Sequence, residues 1–119
     1  MPTTEEETEN EECVKVIGNE ILFYGSVDRE NALEFVEKFK KLEIDLLKKK
    51  AELVGYEPQI RVHVMSEGGD IFSGLNIMNV LERSRVRVVT IAQGSCCSAA
   101  TFILLGGSER RMGRNAYVL

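Results

Sequence analysis

At 119 residues, 44% hydrophobic and 29% charged, the chain has the length and apolar content for one domain with a real core. The formal charge of −4 hides an asymmetry: six of the nineteen acids lie in the first twelve residues, and the remainder sets thirteen acids against fifteen bases. That near-neutral balance offers no footprint for nucleic acid. No apolar run approaches the length of a membrane span, and the acidic start is unlike a signal peptide. Cys13, Cys96 and Cys97 are odd in number and two are adjacent, which argues against a disulfide framework and for a reducing, cytoplasmic setting.

In chain order, residues 1–12 are polar and acidic and are expected to form a disordered tail, with the domain occupying residues 13–119. Val14-Lys15-Val16-Ile17 alternates as a short strand, Gly18-Asn19 signals a turn, and Glu20 to Gly25 reads as a second strand. Ser26 or Asp28 is placed to cap a helix running to about Leu53, with Phe35, Phe39, Leu42, Leu46 and Leu53 on its apolar stripe. Leu33, Val36 and Leu47 widen the stripe, and Gly55 and Pro58 end the helix. Gln59 to Met65 alternates with period two and is a third strand. Ser66-Glu67-Gly68-Gly69-Asp70 is then a turn, followed by a helix to Arg83 with Ile71, Leu75, Met78 and Leu81 on one face. The β-branched run Val86 to Ala92 is a fourth strand. Gln93-Gly94-Ser95-Cys96-Cys97-Ser98-Ala99-Ala100 reads as a small-residue turn, and Thr101 to Leu105 as an apolar helix.

Strand, glycine turn, helix, strand, small turn, helix is the order of a right-handed parallel crossover, and hence of an α/β fold. Ligands of such sheets gather beyond the carboxyl ends of the strands, where both turns fall. A serine at the second turn can attack a carbonyl while nearby amides hold the developing oxyanion. Taken alone, the octapeptide fits a serine N-cap on a core helix better than a nucleophile. His63 lies mid-strand, as structural or surface histidines do. Asp70 has the position of an N-cap. Cys97 could react at a helix N-terminus, but Cys96 and Cys97 fit small buried fillers better. The three cysteines and single histidine lack metal-site spacing, so no metal is expected.

The ordered motifs Ser66-Glu67-Gly68-Gly69, Gly94 to Ala100, and Phe102-Ile103-Leu104-Leu105-Gly106-Gly107 resemble ClpP, the caseinolytic serine peptidase. The likeness runs from about Glu20 to Leu119 and makes Ser98 a nucleophile position rather than a cap. It implies the ClpP/crotonase-like fold of repeated β-β-α units, incomplete at the C-terminus. Gly107 to Met112 would then be the family's hairpin. The backbone amides of Gly69 and Ala99 match the oxyanion donors, and Gly68 shapes their turn, where a Cβ would block a substrate backbone. The base would be a histidine just after Asn115 to Leu119, oriented by an aspartate farther on, and the triad is incomplete in these residues.

The implied protein is a serine endopeptidase subunit that self-assembles into a ring, cuts unfolded polypeptides fed by an AAA+ unfoldase, and needs no cofactor. A ClpP-like ring subunit without catalysis is one alternative, and a crotonase-fold acyl-CoA enzyme another. Two departures stand out besides the missing last third. Glu67 replaces a proline, putting a charge near the substrate path, and the first helix carries an insertion around Leu46 to Tyr56.

Overall fold

A computed structural model describes residues 12–119. The tail expected over residues 1–12 therefore lies outside the described residues, except for Glu12. Strands β1 (Val14–Ile17) and β2 (Glu20–Tyr24) lead into α1 (Arg29–Glu52), and β3 (Gln59–Ser66) into α2 (Ile71–Glu82). Then come β4 (Arg87–Cys96), α3 (Ala99–Leu105), β5 (Glu109–Met112) and β6 (Tyr117–Val118). The sheet runs β1-β2-β3-β4-β5, and β6 also pairs with β4. Only β1 and β2 pair antiparallel; the other pairings are parallel. The fold is mixed α/β, with the parallel crossovers that the sequence predicts. Among the described residues, no helix is long and apolar enough to cross a membrane.

The core follows from strand alternation. Ile21 and Phe23 of β2 and Ile60, Val62 and Val64 of β3 point to one face and are fully buried. They join Phe35, Phe39 and Leu46 of α1, Ile77 and Leu81 of α2, and Ile103 and Leu104 of α3 in one cluster. Phe35 meets Phe23 edge-on at 6.1 Å and stacks with Phe39 at 5.9 Å. Each buried ring contributes about 1.5–3 kcal/mol relative to exposure. Asp28 starts α1 by accepting the Asn31 amide at 2.7 Å. The α1 stripe is narrower than the sequence pattern, because Leu33 and Leu53 are exposed while Ala32 and Glu43 are buried. Glu43 is compensated: its carboxylate accepts the Arg85 amide at 2.7 Å and so ties α1 to the loop after α2.

Three segments depart from expectation. First, β4 does not stop at Ala92 but continues through Cys96, so most of the expected turn is strand. Val64 pairs with Ala92 and Ser66 with Cys96, so four steps of β4 span two of β3, and Gly94 at φ +56° takes up the bulge. Second, the buried face of α2 is Ser73, Gly74, Ile77 and Leu81, leaving Ile71 half exposed. The reason is Gly74: a Cβ there would stand 2.6 Å from the Ala99 carbonyl, so α2 and α3 meet at their backbones. Third, Gly107 to Met112 is not a hairpin. Its strand β5 pairs with β4 in parallel, so α3 is itself a crossover helix. Thr90 anchors that helix by donating from its buried hydroxyl to the Leu104 carbonyl at 2.6 Å.

Candidate functional site

Ser98 occupies the single residue between the end of β4 plus Cys97 and the start of α3. Its φ of +55° and ψ of −122° make it the only non-glycine residue with positive φ among the described residues. Such a conformation costs about 1–3 kcal/mol and persists only where the surroundings impose it. Four contacts impose it here. The Cys97 amide donates to the Ser66 carbonyl at 3.0 Å, and the Ser98 amide to the Leu119 carbonyl at 2.8 Å. The Ala100 and Thr101 amides donate back to the carbonyls of Cys97 and Ser98. The bent backbone turns the side chain outward. Ser98 is exposed, and although it holds the N-cap position its hydroxyl caps nothing.

The glycine turn after β3 packs directly against this elbow. A Cβ on Gly68 would lie 2.7 Å from the Cys97 carbonyl and 2.8 Å from the Ser98 Cβ. A Cβ on Gly69 would overlap the Val27 carbonyl. Both glycines have φ beyond +100°, at +106° and +148°. Their first role is thus to let three backbone segments meet, and Val27 is the partner that sequence alone does not reveal. Val27 donates to the Gly68 carbonyl at 2.9 Å and accepts the Asp70 amide at 2.7 Å, which leaves the Gly69 amide between them unused. The Ser66 hydroxyl closes the turn by accepting the Gly68 amide at 3.0 Å.

Two amide donors of the turns are therefore without a protein acceptor. Among the described residues, neither the Gly69 nor the Ala99 N–H donates to a protein acceptor. An unpaired amide on each turn, the one on Ala99 within a buried residue and next to the exposed Ser98, is the kind of donor that a carbonyl oxygen gaining negative charge requires. The Ser98 amide cannot join them, since Leu119 holds it.

The other candidates are spoken for. His63 bridges three strands: its Nε2 lies 2.6 Å from Glu20 Oε1 and its Nδ1 3.0 Å from Gln93 Nε2. It makes no hydrogen bond with Ser98. Asp70 is the N-cap of α2 and accepts both the amide and the hydroxyl of Ser73, at 3.0 and 2.7 Å. The Ser73 hydroxyl, followed by its amide, holds the Asp70 carboxyl below its ordinary range. Cys97 is buried, and Cys96 donates its thiol to the Ala100 carbonyl at 3.4 Å. Burial, with the neighbouring Cys97, pushes the Cys96 thiol up to about 11, and burial pushes Cys13 up to about 12. Neither is a thiolate at neutral pH. Among the described residues, no group of three or more His, Cys, Asp or Glu could hold a metal ion.

Comparison with known proteins gives the chain a family and its fold a set of relatives. Residues 6–119 match the family model described as Clp protease. The fold is similar to that of ClpP1 from Listeria monocytogenes, with a TM-score of 0.73 and 20% identity over 86% of this chain and 55% of that one. Its N165D mutant matches at 0.72 and 20%, over 85% of this chain and 54% of that one. The ClpP protease catalytic domain from Plasmodium falciparum matches at 0.71 and 21%, over 85% of this chain and 51% of that one. The chain spans about half the length of these structures.

Proposed function

Because the chain belongs to the Clp protease family, we propose that Ser98 is the nucleophile of a serine endopeptidase acting on unfolded polypeptide. One observation carries the reading: Ser98 is held at positive φ with its hydroxyl exposed and free of any capping bond. Strain without a structural return is the mark of a residue placed for chemistry. The Ser98 Oγ attacks the scissile carbonyl, its proton passes to a base, and the oxyanion settles between the Gly69 and Ala99 amides. Gly68 keeps that pair together. Collapse of the adduct breaks the C–N bond, the base returns the proton to the leaving amine, and water then releases the acyl group by the reverse roles.

The base is the histidine expected after Leu119. The Leu119 carbonyl is bonded to the Ser98 amide and lies 3.2 Å from the Thr101 hydroxyl, so a residue following it in a longer chain would emerge beside the nucleophile. Assembly into a ring, feeding by an AAA+ unfoldase and a cytoplasmic location belong to the same proposal. A second reading has its own support: His63, the chain's single histidine, is engaged by Glu20 and Gln93. On that reading the protein is a ClpP-like ring subunit with a structural or regulatory role and no turnover.

A serine-directed phosphonate or β-lactone separates these readings. In the full-length protein, rapid labelling mapped to Ser98 and lost in Ser98→Ala is the expected result. A label on Cys97, or one that persists in Ser98→Ala, would end the serine-peptidase reading. No labelling at all would favour the subunit without catalysis.

A further inference from the structure

Beside the elbow, on the strand side of the glycine turn, lies an open groove of about 480 Å³. Tyr24 and Met65 line it together with Ser26, Glu67 and Ser95. Tyr24 and Met65 are 38% and 40% exposed, so they offer apolar surface to a visitor rather than to the core. Glu67 immediately precedes Gly68, and Ser95 stands three residues before Ser98, so both sit on the segments that shape the candidate site. The Ser95 hydroxyl donates to Glu67 Oε2 at 2.7 Å, which fixes the carboxylate over the groove. None of the ion pairs among the described residues involves Glu67.

We infer that this groove selects a lysine or arginine side chain close to the bond that is cut. An aliphatic stem lies over Tyr24 and Met65 while the cationic head meets the Glu67 carboxylate, the division of labour that suits a long amphipathic side chain. Ser95 is a positioning residue, since it acts only by orienting Glu67. The inference rests on the peptidase reading for its substrate, but the groove can be tested without turnover.

The test uses full-length Ser98→Ala protein, which does not consume the ligand, and fluorescent peptides that place lysine, norleucine or glutamate at successive positions. Anisotropy at low salt should show one position where lysine binds about fivefold tighter than norleucine, the scale of a well-oriented exposed ion pair. The preference should fade at high salt. Adding Glu67→Gln should bring the ratio near one, and Glu67→Lys should turn it in favour of glutamate. Ser95→Ala should lower it only in part. Equal binding of all peptides, no binding, or a lysine preference that survives Glu67→Gln would overturn the groove. If the preference holds while Ser98 resists serine-directed labelling, the groove stands and the peptidase reading falls; the opposite pattern removes the groove alone.

Discussion

Two helices begin at the carboxyl ends of neighbouring parallel strands, α2 after β3 and α3 after β4, and their first residues are treated in opposite ways. Asp70 closes α2 with two bonds from Ser73 in an ordinary extended conformation, φ −79° and ψ 121°. Ser98 opens α3 at φ +55°, and its hydroxyl bonds nothing in the helix it begins. The first start is complete within the fold. The second leaves a hydroxyl uncapped and an amide donor unpaired, at a cost in backbone strain. A short polar residue before a helix thus carries two meanings, and only the backbone angle and the fate of the side chain tell them apart.

The largest test of that contrast is Ser98→Ala in the full-length protein. Peptide turnover should fall on the order of 10⁴-fold or more, while the melting temperature stays unchanged because no cap is lost. A clear loss of stability in a thermal melt would show that the hydroxyl caps α3 after all. Next comes Gly69→Val, whose side chain meets the Val27 backbone rather than only a substrate. It should destabilise by about 2–4 kcal/mol, seen as a lower denaturant midpoint; a well-folded but unreactive variant would return the glycine to a purely steric role toward substrate. Ser98→Gly should abolish turnover yet stabilise by about 1 kcal/mol, since glycine accepts positive φ and some of the gain is spent on a more flexible unfolded chain. Equal or lower stability would mean that the elbow is unstrained.

Asp70→Ala is the smallest of these effects and acts only on stability, with a melting temperature lower by a few degrees. Its pH dependence has a definite sign. The folded Asp70 carboxyl lies below its ordinary value, so its stabilisation is fully present above the unfolded pKa of about 3.9 and is lost as pH falls through the folded pKa. The wild-type and Asp70→Ala melting temperatures should therefore converge in acid. A gap that stays constant down to the lowest pH would assign the loss to packing instead of the cap.

Much of the frame was legible in advance because it rests on local rules. The apolar run at Ile21 to Tyr24, the period-two run at Gln59 to Met65, a cap at Ser26 or Asp28 and the Phe35–Phe39 spacing all express one-dimensional patterns. What escaped was decided between segments. Gln93-Gly94-Ser95-Cys96 has turn composition, yet pairing with Ser66 and Val118 holds it in the sheet. Glu109-Arg110-Arg111-Met112 has no apolar alternation, and β4 recruits it as a parallel strand. The α2 face shifted toward Gly74, and a glycine inside an otherwise apolar helix was the available sign of close helix packing. At the site, the two motifs pointed to Ser98, Gly68 and Gly69. The Val27 backbone between them could not be read, because its role needs an amide and a carbonyl but no particular side chain.

The bond from the Ser98 amide to the Leu119 carbonyl also makes the elbow its own reporter in hydrogen exchange. Strand β6 is held to β4 over only two residue pairs, and the Leu119 amide donates to the Cys96 carbonyl just beyond them. Between residues 117 and 119 this pairing ties the elbow to β6, while the β3–β4 register ties the centre of the sheet. The exchange rate of the Ser98 N–H then reports how often the segment from β6 to Leu119 lifts from the elbow, while amides such as Val62 and Val64 record opening of the sheet as a whole. A ligand that pins β6 and Leu119 would slow the first signal and leave the second untouched, so occupancy at the elbow can be followed before any bond is cut.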